Sequence, residues 1–155
     1  MSLDPSFHIA LVEPEIPQNS GNIGRLALGL GARLHLVHPL GFSLSEKAVR
    51  RAGLDYWKHV DLVEHKDPPS FLLWSSQRPL YLFSTKAKSS YRAAKFEKGA
   101  VLVFGAESKG LPISWIRTMN SFRIPMNGAI RSLNLSNAVA VAAYEAFAQL
   151  HPECF

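Results

Sequence analysis

Cysteine is nearly absent from this sequence of 155 residues, and its single cysteine, Cys154, is next to the C-terminal residue. One thiol can neither form an internal disulfide nor hold a thiolate metal site alone, so a disulfide-stapled fold is excluded and a reducing cytoplasm is expected. The six histidines show no spacing that predicts a zinc site, and we expect no bound metal.

Long apolar runs are missing as well. No stretch approaches the roughly 20 apolar residues that cross a bilayer, and no basic region followed by an apolar one opens the chain. We therefore expect neither a membrane span nor a secretory signal. Charged residues are only 19% and hydrophobic residues 47%, the reverse of the balance that disorder requires. A chain of this length buries a substantial core, which predicts a single domain over 1–155.

Short apolar runs recur along the chain and predict strands over 7–12, 34–37, 60–63, 80–83, 101–104 and 123–126. The last strand has to end at Pro125 or lie at a sheet edge. Helices are predicted over 19–31, 45–51, 68–74 and 132–150, with Asn19 or Ser20 capping the first. Because the strands are apolar throughout and alternate with helices, the sequence predicts an α/β fold, a mostly parallel sheet with helices on both faces.

Positive charge is concentrated in one part of the chain. The formal net charge of the chain is +5. Residues 78–98 carry six basic side chains against the single acid Glu97, so the net charge of this segment alone is also +5. Such a segment suits a polyanionic partner such as nucleic acid. Charge alone leaves a solvated, lysine-rich loop as an equal alternative.

Polar loops follow the predicted strands, where the ligands of parallel sheets bind. The loop 105–110 has glycines at both ends, which allow a sharp turn and close approach to a ligand. It is neither a Walker A loop nor a Gly-x-Gly-x-x-Gly fingerprint, and a plain turn is the alternative. Near the N-terminus, Asn22 and Arg25 lie three apart on one side of a helix, although an exposed helical arginine explains Arg25 as well.

The loop after the last predicted strand is unusually rich in polar side chains at a helix start. They are Arg131, Ser132, Asn134, Ser136 and Asn137. One serine or asparagine is enough to cap a helix, and the others lower helix propensity without a packing return. This excess favours a functional role for the loop.

Taken in order, these loops resemble the three signatures of the SPOUT RNA methyltransferases. The matching stretches are 19–25, 102–112, 123–126 and 131–137. Three further stretches are similar to one branch of that family, the TrmL/YibK-like tRNA wobble-nucleotide 2′-O-methyltransferases. They are 13–19, which reads Glu-Pro-Glu-Ile-Pro-Gln-Asn, 39–42 and 50–56. The motif-bearing part runs from about residue 7 to residue 150, nearly the whole chain.

The resemblance implies S-adenosylmethionine (SAM) as methyl donor, a deep trefoil knot in the C-terminal part, and a homodimer whose active site uses both subunits. By matching position, the cofactor would contact Phe83, Gly105, Ile124, Ser132 and Leu133. The catalytic set would be Arg25, Glu107, Ser132 and Asn134. Since arginine does not readily deprotonate, Arg25 is expected to orient the ribose and phosphate, while Glu107 or an RNA phosphate takes the hydroxyl proton.

The basic segment acquires a partner from the same resemblance. Lys86, Lys88, Arg92 and Lys95 are predicted to hold the tRNA anticodon stem-loop through its phosphates, with Tyr91 stacking on a base. Tyr144 and Phe147 are predicted to pack the dimer, with ordinary core packing as the alternative. Two other functions stay open: the same methyl transfer to ribosomal RNA, and a non-catalytic RNA-binding protein of the same fold.

Overall fold

The computed structural model describes residues 4–44 and 54–155. Within them, seven strands form one sheet: β1 Phe7–Val12, β2 Arg33–Val37, β3 Leu62–His65, β4 Leu80–Phe83, β5 Ser89–Ser90, β6 Ala100–Phe104 and β7 Ser121–Arg123. Their order is β3-β2-β1-β6-β4-β7-β5, and every neighbouring pair is parallel. The central strands β1 and β6 are buried along their whole length. The predicted parallel sheet is thereby confirmed.

Four α-helices are present in the described part of the chain: α1 Pro17–Leu30, α2 Pro68–Ser75, α3 Ile113–Thr118 and α4 Leu135–Leu150. Short 3-10 turns cover Leu54–His59, Tyr91–Ala93 and Pro152–Cys154. The predicted helix over 45–51 lies outside the described residues. Among these helices, none combines the length and the apolarity that a membrane span requires.

Helices cover both faces of the sheet, as predicted, because alternate residues of each buried strand point to opposite sides. Ile9 belongs to the core that α1 and α4 cover, together with Ile23 and Val139. Its neighbour Ala10 belongs to the core that α2 and α3 cover, together with Phe71 of α2. The strands therefore carry near-continuous apolar runs rather than a half-polar alternation.

Several element boundaries differ from the predicted ones. The helix predicted from Asn19 begins at Pro17 after the N-cap Ile16, so neither Asn19 nor Ser20 caps it. Pro17 suits the first turn because its missing N–H would have no partner there. The last helix starts at Leu135 rather than at 132, since Asn134 is its cap.

Two strands are displaced from the predicted ranges by about two residues. The strand predicted over 60–63 is Leu62–His65, and the one predicted over 123–126 is Ser121–Arg123, which ends before Pro125. The latter strand pairs with β4 and β5 on its two sides, so it avoids the proline by ending rather than by lying at an edge. The deep trefoil knot stays a prediction.

A chain of three histidines crosses the β1–β2–β3 part of the sheet. The Nδ1 of His8 lies 2.9 Å from the Nε2 of His35, and the Nδ1 of His35 lies 2.9 Å from the Nε2 of His65. The Trp74 ring packs against all three imidazoles. Burial lowers the pKa of His8 to about 4 and that of His35 to about 2, so both rings are neutral at pH 7.

Candidate active site

A cavity of about 530 Å³ opens at the carboxyl ends of β4 and β6. This is the edge of a parallel sheet where ligands bind. The cavity brings together residues from five separate stretches of chain, among them seven of the predicted site residues: Phe83, Gly105, Glu107, Ile124, Ser132, Leu133 and Asn134. The sequence missed Ile16 and Asn19 of the N-terminal segment, which line the same cavity.

The loop 105–110 closes one side of this cavity through a tight backbone turn. Gly110 donates its N–H to the Ala106 carbonyl at 2.8 Å and has a φ of +66°, which favours glycine. A Cβ on Gly105 would lie 2.1 Å from the Gly110 carbonyl carbon, so no other residue fits there without moving the backbone. The prediction that these glycines allow a sharp turn is therefore confirmed.

Glu107 holds this loop against the start of α1. Its carboxylate accepts hydrogen bonds from the backbone N–H groups of Glu15 (2.8 Å) and Ile16 (2.9 Å) and from the Asn19 side-chain amide (3.1 Å). The helix has no side-chain cap of its own, so Glu107 supplies an acceptor and a negative charge near its N-terminus. Both carboxylate oxygens of Glu107 are thereby engaged.

Glu15 forms the reciprocal contact. Its carboxylate accepts from the Ser108 N–H at 2.9 Å and from the Ser108 hydroxyl at 2.6 Å. These hydrogen bonds lower the pKa of the Glu15 carboxyl, which keeps it ionised at neutral pH. We call the five hydrogen bonds that Glu107 and Glu15 accept the carboxylate clasp. The sequence signal for it was an acidic residue in each of two motif stretches, Glu15 in 13–19 and Glu107 in 102–112, but nothing in the sequence paired them.

Asn134 lines the cavity and caps α4 at the same time. Its Oδ1 accepts from the Ser136 N–H at 2.9 Å and from the Ser136 hydroxyl at 2.6 Å. Capping therefore accounts for two of the five polar side chains of this loop. Ser132 is exposed on the cavity wall and remains available to a ligand.

Arg25 does not line this cavity. It lines a second depression, of about 450 Å³, together with Asn22, Asn137 and Tyr144. Its guanidinium lies 5.0 Å from the ring centroid of Tyr56. The first turns of α4 separate the two depressions, so one chain does not bring the predicted catalytic residues together.

The basic segment is fixed to the protein body by its backbone. Gln149 of α4 bonds the carbonyl of Ala94 and the N–H of Phe96, and the Tyr81 hydroxyl donates to the Lys95 carbonyl at 2.7 Å. The side chains of Lys86, Lys88 and Lys95 stay exposed to solvent, and Lys86 reaches the cavity rim.

Two members of that segment have partners within the protein. The Arg92 Nε lies 2.6 Å from a carboxylate oxygen of Glu145, so part of its charge is already neutralised. Tyr91 is half-buried and packs against the core. Phe147 likewise packs against the core, whereas Tyr144 is 50% exposed.

Comparison with known proteins shows the family of this chain. Residues 6–144 match the SpoU rRNA Methylase family. The tRNA (cytidine(34)-2'-O)-methyltransferase of Saccharophagus degradans is 45% identical over 147 residues, which cover 93% of this chain and 96% of the relative.

Solved structures agree with the sequence match. One that describes structural insights into the 2-OH methylation of C/U34 on tRNA superposes with a TM-score of 0.91 at 47% identity, covering 96% of this chain and 98% of the other. The SpoU methyltransferase AviRb from Streptomyces viridochromogenes, in complex with AdoMet, has a TM-score of 0.82 at 26% identity and covers 95% of this chain and 62% of that one. The family match and the near-complete overlap with close relatives show that this chain belongs to the SpoU rRNA methylase family.

Proposed function

We propose that this protein transfers a methyl group from SAM to the ribose 2′-oxygen of the tRNA wobble nucleotide, a cytidine or a modified uridine. The observation that carries the proposal is the meeting of Phe83, Gly105 and Ser132, from three parts of the chain far apart in sequence, around one cavity. Relatives that overlap nearly the whole chain bear this activity in their names. Because the proposed substrate is tRNA, we expect the protein to act in the cytoplasm.

The cavity suits SAM in size and in the chemistry of its walls. Its volume of about 530 Å³ lies in the range of roughly 300 to 1,000 Å³ that small-molecule sites occupy. Phe83, Ile124 and Leu133 offer apolar surface, while Gly105 and Ser132 bring backbone and hydroxyl groups to the opening. We propose these five residues as the ones that would hold the cofactor.

When bound, SAM supplies an activated methyl group, so the protein has to align the ribose 2′-oxygen and handle its proton. We propose that Arg25 orients the ribose and phosphate and stabilises the charge that develops on the oxygen. Glu107 is a poor candidate for accepting the proton, because three N–H groups already occupy its carboxylate. We therefore favour an RNA phosphate as the acceptor.

We propose a homodimer that completes the site. Arg25 and the SAM cavity lie on different sides of the first turns of α4, so the cavity lacks Arg25 within one chain. Tyr144, half exposed beside Arg25, offers apolar surface to a second copy. A Tyr144→Glu variant should run as a monomer in sedimentation analysis and lose methyl transfer, whereas an unchanged dimer would contradict the contact.

We propose that Lys86, Lys88 and Lys95 contact the phosphates of the anticodon stem-loop, with a smaller contribution from Arg92 because Glu145 neutralises it. Removing the three lysines should weaken tRNA binding and reduce its dependence on salt. A Lys88→Ala/Lys95→Ala double variant, which keeps Lys86 on the cavity rim, should in addition leave SAM binding unchanged. Lys66→Ala, which removes an exposed lysine next to β3, is the matched control. An unchanged salt dependence in the triple variant would contradict this surface.

The test of the proposed function is transfer of labelled methyl from SAM into bulk tRNA from cells that lack the protein, followed by mapping of the product. A 2′-O-methyl group at the wobble position is the expected result. Product in ribosomal RNA alone would instead support the substrate that the family description names. Binding of RNA without any SAM-dependent product would overturn the proposed enzymatic activity and support a non-catalytic RNA-binding protein.

Arg25→Ala should cut turnover far more than SAM affinity, because Arg25 lies outside the SAM cavity. The matched control is Gln18→Ala, a substitution at an exposed position on the same helix. Equal losses of turnover and of SAM affinity would count against the orienting role.

A further inference from the structure

The carboxylate clasp joins two parts of the chain about ninety positions apart. The loop 105–110 contributes the Glu107 carboxylate and the Ser108 N–H, and the segment 13–16 contributes the Glu15 carboxylate and two backbone N–H groups. Each side therefore binds the carboxylate of the other. Carboxylate–amide hydrogen bonds are among the stronger ones in proteins, because one partner is ionised. Movement of the loop therefore has to move the segment.

The segment 13–16 has little freedom to absorb such a movement. Glu13 donates its N–H to the Val37 carbonyl at 2.9 Å, and Pro14 accepts from the Gly41 N–H at 2.9 Å. A Cβ on Gly41 would lie 2.8 Å from the Glu15 Cα, which shows how closely the two backbones approach. A displacement at Ser108 is consequently passed on to the helix that follows.

That helix carries Arg25. Glu107 bonds the two residues that precede α1 and Asn19 in its first turn, and Arg25 lies further along the same rigid element. The loop side of the clasp lines the proposed SAM cavity, and the helix side carries the group proposed to orient RNA. The clasp is thus a physical connection between the two binding sites.

We propose that Glu15 is a positioning residue that couples SAM binding in the cavity to RNA binding at Arg25. This inference rests on the proposed function. Cofactor contacts that order the loop 105–110 also set the start of α1 through Glu15 and Ser108, and bound RNA orders the loop in return. Such linkage is reciprocal by thermodynamic necessity.

The test measures tRNA affinity with and without saturating S-adenosylhomocysteine, using tRNA purified from cells that lack the protein. In the wild-type protein we expect the ligand to tighten tRNA binding by about five-fold or more, the usual scale of coupling between sites. In Glu15→Ala the ratio should fall below about two-fold. Because each ratio compares the same variant with itself, a partial loss of folded protein does not change it.

Two further variants sharpen the result. Glu15→Gln keeps an oxygen that can accept from Ser108 and should retain an intermediate ratio. Asp4→Ala is the matched control: it removes an exposed carboxylate that precedes β1, at the end of the sheet opposite the cavity. It should keep the wild-type ratio.

The coupling would be overturned if Glu15→Ala kept the wild-type ratio of tRNA affinities with and without S-adenosylhomocysteine. If the wild-type protein still transferred methyl to tRNA, the proposed function would stand. A wild-type protein with no difference in tRNA affinity would also overturn the coupling. Failure of the wild-type protein to bind either S-adenosylhomocysteine or tRNA would overturn the proposed function itself, so the two failures are distinct.

Discussion

The proposed SAM cavity and the histidine chain both hold polar groups against one parallel sheet, but they do so in opposite ways. At the cavity, the carboxylates of Glu15 and Glu107 are partly exposed and bonded to backbone amides. In the histidine chain, His8 and His35 are neutral and almost completely buried, and they bond each other. Charge is kept where water reaches it, and only neutral rings are buried.

The difference follows from the free energy of desolvation. An ionised carboxylate loses far more than a neutral imidazole on leaving water, so it stays near the surface unless it is fully paired. A neutral imidazole has one N–H, so His35 has to donate to one neighbour and accept from the other. The clasp can therefore respond to a ligand, whereas the histidine chain stabilises the fold.

The largest expected effect comes from breaking the histidine chain. His35→Ala removes a fully buried ring and leaves nitrogens of His8 and His65 without partners, so the free energy of unfolding should fall by about 3 to 5 kcal/mol. Urea unfolding followed by circular dichroism measures it. His59→Ala, at an exposed position, should change stability by less than about 0.5 kcal/mol. A loss as small as the control's would contradict the stabilising role.

Breaking the cavity should instead affect binding. Gly105→Ala puts a Cβ into the Gly110 backbone and should weaken S-adenosylhomocysteine binding by at least about 100-fold, or about 2.7 kcal/mol. Isothermal titration calorimetry measures the affinity. Gly128→Ala is the control, since nothing lies within 4 Å of its Cβ position. Equal affinities for the two variants would show that the tight turn is not needed for binding.

Lowering the pH should affect the histidine chain and the cavity differently, with a smaller effect than the two substitutions above. The pKa of His8 is lowered to about 4 when folded, so between pH 6.5 and pH 4 the unfolded chain binds a proton that the folded one does not. The free energy of unfolding should therefore decrease as the pH is lowered through this window, by up to about 1.4 kcal/mol per pH unit for each such histidine.

The Ser108 hydrogen bonds lower the pKa of the Glu15 carboxyl, so in the folded protein Glu15 keeps its charge to lower pH than in the unfolded chain. Ligand affinity of the folded protein should consequently stay flat from pH 7 to pH 5 while stability declines. Denaturant titrations and calorimetry at matched pH values measure the two quantities. In a His8→Asn variant the slope of stability with pH should be smaller; an unchanged slope would rule His8 out as its source.

The smallest effect is expected at the cap of α4. Asn134→Ala removes the acceptor of the Ser136 N–H and should cost about 1 kcal/mol of stability. Thermal unfolding compares it with Asn127→Ala, an exposed loop position without such a contact. If both variants unfold together at the wild-type temperature, Asn134 contributes to the cavity wall and not to the helix.

Much of the fold was predictable because buried parallel strands leave a clear signal. The runs 7–12 and 80–83 match β1 and β4 at both ends, since apolar residues stop where each strand leaves the core. Helix starts were harder. Asn19 looked like a cap, but its side chain bonds Glu107 inside the first turn, a partner 88 positions away.

The roles assigned to the site residues stay a prediction, and the sequence did not give their arrangement. The motif residues around Gly105 and Ser132 do meet in one cavity, as the ordered loops indicated. Arg25 lies elsewhere, and the histidine chain was not foreseen. His8, His35 and His65 are separated by 27 and 30 positions and become neighbours only through the parallel register of three strands.

The sequence by itself determined the fold class, the loops that form the cavity and the family, because apolar periodicity and local motifs are written in consecutive residues. Tertiary structure alone decided which carboxylate bonds which amide, which imidazoles bond each other, and on which side of α4 Arg25 lies. Those outcomes depend on strand register and on backbones that approach closely, as where a Cβ on Gly41 would lie 2.8 Å from the Glu15 Cα. Such contacts are set by the whole chain at once and leave no local pattern.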